Sequence, residues 1–303
     1  MGFACYYYQR KVESTFIFLR NTAIRPQTGF ALLLMLLLPT IPCLAQDERP
    51  APVSTPKLAA ANVLIGALSG GIVNASSRRS FWTGFVKGAG GGAVMFAGKR
   101  IIAQEGPLAS WAGRQVAAVG SSQVRNAGAG RPLLEELILP LGPARVYVNT
   151  TGRKPVTAKL DITAVIGTIV MAQRPGASFD PAASFTNGAI IFTAPTLADN
   201  SVGALRLGVI RVFDIPVFSG DGRVSKSSVI AHELIHASQY DFINIAASNP
   251  VEGWALGKSR AGKLLHRYVD FSSASYVWTG LNGLLNPDER PWEREATALA
   301  PGY

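Results

Sequence analysis

Two histidines flank a glutamate at His232, Glu233 and His236, within the stretch SSVIAHELIHASQYDF, in a chain that has only 3 histidines among 303 residues. On a helix, positions four apart lie about 6 Å along the axis and about 40° around it, so both imidazoles project from one side. Such a pair can grip one metal ion. A zinc ion held by two imidazoles and a carboxylate keeps an open position for water and lowers that water's pKa toward neutrality. Glu233, next to the first histidine, can then take the water's proton and pass it to a leaving amine as general base and acid. The spacing therefore predicts Zn2+ at His232 and His236 and hydrolysis driven by Glu233.

The helix that must carry these residues is well marked. Ser227 or Ser228 can cap its start, Val229, Ile230, Leu234 and Ile235 supply a buried face, and Asn249-Pro250 is expected to close it. Ahead of it lie ARVYVNT, VTAKLDITAVIGTIVMA, GAIIFTA and ALRLGVIRVFDI, β-branched runs separated by turn-forming segments, which predict four or five strands. The expected fold class is α+β, a small sheet packed on the histidine helix, over residues 131–303.

Upstream, residues 58–130 are rich in Ala, Gly and Ser and read as helices packed through small residues. Gly84, Gly88 and Gly92 recur every four positions and fall on one helix face, where another backbone can approach closely. That seam suits either membrane association through 58–103 or a packing contact within the protein; Lys87, Arg78 and Arg79 make these poor spanning segments. GGAVMFAGKR fails the P-loop pattern, because Ala93 replaces the first glycine and Arg100 the Ser/Thr.

The first 45 residues read as a signal peptide. Arg10, Lys11, Arg20 and Arg25 precede the apolar run FALLLMLLLPTIPCLA, with a small-x-small cleavage site at Cys43-Leu44-Ala45, and 46–57 is a Pro-rich linker. Uncleaved anchoring through 30–45 is the other outcome. Cleavage removes Cys5 and Cys43, so any metal must be held by nitrogen and oxygen. It also removes four basic and one acidic residue, taking the net charge from +10 to +7. With no dense Lys/Arg run, this composition and an exported, periplasmic or envelope location argue against a nucleic-acid partner.

The helix AHELIHASQYDF resembles that of zincin metallopeptidases of the gluzincin type. With Gln239 three residues past His236, and NPDERPWEREATALA downstream, the chain is similar to small bacterial domains with an HExxHxxQ helix and a later N-P-x-E-x-E-A helix. The resemblance covers roughly 185–300. It implies a compact zincin-like domain, a zinc ion and hydrolysis of peptide bonds in a peptide or protein substrate. It also implies a third ligand from a glutamate followed by a small residue: Glu295 before Ala296 is the expected one, Glu252 before Gly253 the alternative, with Glu293 and His266 as further contenders. Gln239 either orients a ligand or bonds to a neighbouring loop. Tyr240, Tyr268 and Tyr276 are available to stabilise an oxyanion or to fill a core. The competing function class is a non-enzymatic envelope protein that interacts through its glycine seam and carries a degenerate zincin domain.

Overall fold

The computed structural model describes residues 54–152, 154–194, 203–206, 209–213, 225–256, 259–270 and 291–300. The leader, linker residues 46–53, Tyr276 and Asn286-Pro287 lie outside them.

Three 22-residue helices open the described chain: α1 (Thr55–Ser76), α2 (Phe81–Ile102) and α3 (Pro107–Gly128). The linker thus ends earlier than expected, since Pro56 sits at a first-turn position where its missing N–H costs nothing. Ser80 caps α2 by accepting from the Thr83 amide, and Lys99 and Arg100 lie in its last turn, where the helix dipole favours cations.

Glycine sets how closely these helices approach. A Cβ on Gly66 would lie 2.5 Å from the Gly88 carbonyl oxygen and 2.8 Å from the Gly92 Cα, and one on Gly70 would lie 2.5 Å from the Gly84 oxygen. The seam predicted at Gly84, Gly88 and Gly92 is therefore the α1–α2 contact. On its other side α2 meets α3, where Gly98 and Gly113 face each other's backbones. By length and composition α1 could cross a membrane, but Asn62, Ser69 and Asn74 are among its buried residues.

Two four-stranded sheets follow, in place of the single small sheet expected. The first, in order β1-β2-β3-β8, joins Glu136–Leu141, Ala144–Asn149, Val156–Asp161 and Val269–Asp270. The second, in order β4-β5-β7-β6, joins Ser178–Phe179, Ile190–Ala194, Val209–Phe213 and Gly203–Arg206. Pro140 is tolerated in β1 because that strand is an edge. The run VTAKLDITAVIGTIVMA is strand only to Asp161. Ile162–Ala172 is helix α4, because the Asp161 carboxylate accepts from the Thr163 and Ala164 amides and starts a helix that β-branching alone would not suggest. Arg145 bridges Asp161 and Asp270 at 2.7 and 3.0 Å, and the Tyr147 hydroxyl donates to Asp270, so buried charge ties β2, β3 and β8 together.

After α5 (Pro181–Asn187) and the second sheet comes α6 (Lys226–Leu256), which carries the histidines. Its cap is Ser225, not Ser227 or Ser228. The Ser225 hydroxyl accepts from the Ser228 amide and the Ser228 hydroxyl accepts from the Ser225 amide, a reciprocal box. The helix also runs through Asn249-Pro250 to Leu256 instead of closing there. Val229, Ile230, Leu234 and Ile235 enter a core shared with Leu58 of α1, Ile102 of α2, and Ile191 and Ile210 of the second sheet. Each such side chain contributes about 1.5–3 kcal/mol. Further along α6, Asp241 pairs with Arg114 of α3 at 3.1 Å, and Ile245 packs with Ala118 and Ile138. Residues 58–130 therefore share their core with the region from 131 onward. The short helices α7 (Arg260–Tyr268) and α8 (Pro291–Leu299) complete the described chain.

The glycine seam yields a paired test. At Gly90 of α2 a Cβ would meet nothing within 4 Å, whereas at Gly66 it would meet backbone. Gly90→Ala should stabilise by about 0.5–1 kcal/mol through lost unfolded-chain freedom. Gly66→Ala should destabilise by about 1–3 kcal/mol through overpacking. Urea unfolding of both variants reads the difference in sign.

Candidate metal centre

Helix α6 places His232 and His236 one turn apart, and their Nε2 atoms lie 3.1 Å from each other. The third group is Glu293, at the third position of α8, whose Oε2 lies 2.6 Å from His236 Nε2. The ligand atoms of His232, His236 and Glu293 all fall within 4.8 Å of one another, the one such group among the described residues.

The expected ligand Glu295 is not in this group. Two residues on, it turns about 200° around the helix from Glu293. Its Oε2 receives the Lys99 ammonium at 2.7 Å and the Gln239 amide at 2.8 Å, and its Oε1 receives the Asn62 amide at 2.6 Å. Glu295 is thereby engaged with the front helices. Glu252 lies on α6 itself, 16 residues beyond His236 and so about 24 Å along the axis, too far to share an ion with it. His266, on α7, stands outside the group, its pKa lowered by burial and by the Lys159 charge. Tyr240 is buried on α6, and Tyr268 is exposed at the end of α7.

Gln239 bonds to a ligand rather than to a loop alone. Its Nε2 donates to the Trp292 carbonyl at 3.1 Å and to Glu295, which leaves its Oε1 facing His236 Nδ1 at 2.8 Å. An amide oxygen can only accept, so Nδ1 carries a proton; Nε2, turned toward His232 and Glu293, also carries one while the ring is charged and offers a lone pair once that proton is lost.

The electrostatics differ sharply among neighbours. Burial, with the nearby His236, pushes His232 down to about 3, so it stays neutral and keeps a lone pair. Burial also disfavours charge on His236, but the Glu293 hydrogen bond and the Glu233 and Glu293 charges outweigh it and raise its pKa. Glu233 is buried and pushed up to about 7 by that burial, with Glu293 raising it further against the pull of His236. Glu295 moves the other way: burial would raise it, but Lys99, Asn62 and Gln239 hold it below the ordinary carboxylate range.

The donor set fits zinc. Two imidazole nitrogens and a carboxylate oxygen are its usual partners, and bonds near 2 Å in a tetrahedral arrangement place neighbouring ligand atoms about 3.3 Å apart. That separation lies between the 2.6 Å contact and the 4.8 Å limit of the group. Sequence reasoning missed Lys99 and Asn62. Their signal was present: each is a strongly polar residue within an otherwise apolar or small-residue stretch.

Compared with models of protein families, with curated proteins and with solved structures, the chain matches none.

The position of Glu233 has a measurable consequence in metal-free protein. Its pKa in the fold is about 7, above the ordinary 4.5, so the fold binds its proton more tightly than the unfolded chain does. The stability this confers is complete below about 4.5 and is lost as pH rises through about 7. Glu233→Gln, which keeps the shape but cannot ionise, should flatten that decline. Urea unfolding of chelator-treated wild type and variant across this range compares the two slopes.

Proposed function

We propose that this chain is a zinc-dependent hydrolase of peptide bonds, with His232, His236 and Glu293 as ligands and Glu233 as general base. The observation that carries the reading is the convergence of two imidazole nitrogens and a carboxylate oxygen within 4.8 Å, beside a buried glutamate on the same helix. The zincin-like reading of the fold belongs to the same proposal. It is supported by HExxHxxQ on α6, by a mixed sheet against that helix's apolar face, and by a later helix bearing the carboxylate. The apolar leader supports an exported setting, periplasmic or at the envelope.

Zinc in such a set supplies a Lewis acid and lowers the pKa of a coordinated water. The protein's own residues supply the rest. His232 is held neutral by burial and presents its lone pair without first losing a proton. His236 is oriented by Gln239, so that Nδ1 donates and Nε2, beside His232 and Glu293, would be the atom to hold the ion. Glu233, buried next to His232 with a metal-free pKa raised to about 7, is placed to take a proton and return it.

Two substitutions test the roles separately. Glu233→Gln should cut peptide hydrolysis by about 10²–10⁴-fold, the range for a lost general base, while zinc stoichiometry stays at one per chain. Glu293→Ala should lower zinc affinity by orders of magnitude, because it leaves two imidazoles on the ion. Competitive zinc titration and a peptide-cleavage assay provide the readings. Hydrolysis that survives Glu233→Gln refutes the mechanism, and a wild-type chain that takes up no zinc returns the non-enzymatic reading.

A further inference from the structure

The buried polar cluster behind the histidines joins residues from three distant parts of the chain. Lys99, at the end of α2, donates to Asn62 Oδ1 at 2.9 Å and to Glu295 Oε2 at 2.7 Å. Asn62, on α1, donates to Glu295 Oε1 at 2.6 Å and to the Leu58 carbonyl at 2.9 Å. Both carboxylate oxygens of Glu295 are thus fixed from the front helices, and Oε2 in turn receives Gln239. Gln239 closes the chain on His236 Nδ1.

We infer that Lys99 and Asn62 are positioning residues for the metal centre, acting through Glu295 and Gln239 to fix the tautomer and orientation of His236. The front helices are on this account a part of the site, not a module that could be removed from an independent metallopeptidase domain. The logic is one of donors and acceptors. Gln239 can present its oxygen to His236 only while its nitrogen is held by acceptors, and the stronger of those is the charged Glu295. Glu295 can remain a buried carboxylate only while Lys99 and Asn62 satisfy it. Two glycine contacts put those residues in reach: Gly92 lies against the Asn62 carbonyl and the Val63 Cα, and Gly66 against Gly88 and Gly92.

The inference rests on the proposed zinc site, and its test separates the two. Lys99→Met alone leaves a buried carboxylate without its cation, so that variant can lose the fold. Lys99→Met combined with Glu295→Met removes both charges and keeps similar volume. In the folded double variant, zinc affinity should fall about 10–100-fold, the usual cost of losing a group that supports a ligand. The metal-free protein gives an independent reading. With only three histidines in the chain, the ring signals of His236 can be assigned, and its Nδ1–H, held by Gln239 Oε1, should give a resolved, slowly exchanging proton in wild type. That signal should shift and broaden into exchange with water in the double variant. Unchanged His236 shifts in a folded double variant overturn the inference whether or not the wild type takes up metal, as does zinc affinity within about threefold of wild type, well short of that cost. Shifts that move as expected in a chain that takes up no zinc uphold the link to His236 and defeat the metal reading alone.

Discussion

A charge buried without a partner is among the most costly things a fold can contain, and the Lys99–Glu295 pair is where this chain meets that constraint. Both side chains are almost wholly removed from water, and each satisfies the other at 2.7 Å. Removing one member of such a pair typically costs about 3–5 kcal/mol, a large part of the stability of an average domain. The pair spans 196 residues and links the end of α2 to α8. Wherever α8 sits, its third residue, Glu293, sits with it, and Glu293 is the carboxylate beside the histidines. The position of the candidate ligand therefore depends on a contact made by a different residue of the same helix.

That contact depends in turn on backbone proximity. Asn62 and Lys99 lie on neighbouring helices, and their side chains meet behind α8 only because α1 and α2 approach at a distance where a Cβ would collide. The apolar core reinforces this arrangement. Leu58 and Ile102, from the same two helices, pack with Val229, Leu234 and Ala296. Apolar burial supplies most of the attraction, and the polar cluster supplies the register, since an ion pair and an amide cannot slide by a turn without losing their partners.

The parts of this structure that were legible in the sequence were local. The two histidines and Glu233 on one helix, the glycine seam and most of the strands follow from spacings of two, three and four residues, which are fixed by backbone geometry. A nonlocal contact decided the third carboxylate. Glu295 and Glu293 are chemically alike and two residues apart, and the small residue after Glu295 favoured it by pattern. What distinguishes them is Lys99, which no spacing rule connects to residue 295. The helix at 162–172 was hidden for a local reason: a run of β-branched residues resembles a strand until Asp161 turns its carboxylate onto the following amides. The cap of α6 moved by a few residues because three serines, 225, 227 and 228, compete there.

Charge accounting explains why the site would use Glu293 and exclude Glu295. Two neutral imidazoles and Glu293 leave a dication with one net positive charge, and an ionised Glu233 nearby brings the local sum to zero. A further free carboxylate would make the site net negative, bind the ion more tightly and oppose ionisation of Glu233, the proposed general base. Lys99 cancels Glu295, so Glu295 lends Gln239 a strong acceptor without adding charge to the centre. Without a metal, Glu233 is driven to about 7 by burial, raised further by Glu293 and opposed by His236. A cation beside it would favour the ionised form, so occupancy of the site and the charge state of Glu233 are coupled through the same few ångströms of buried space.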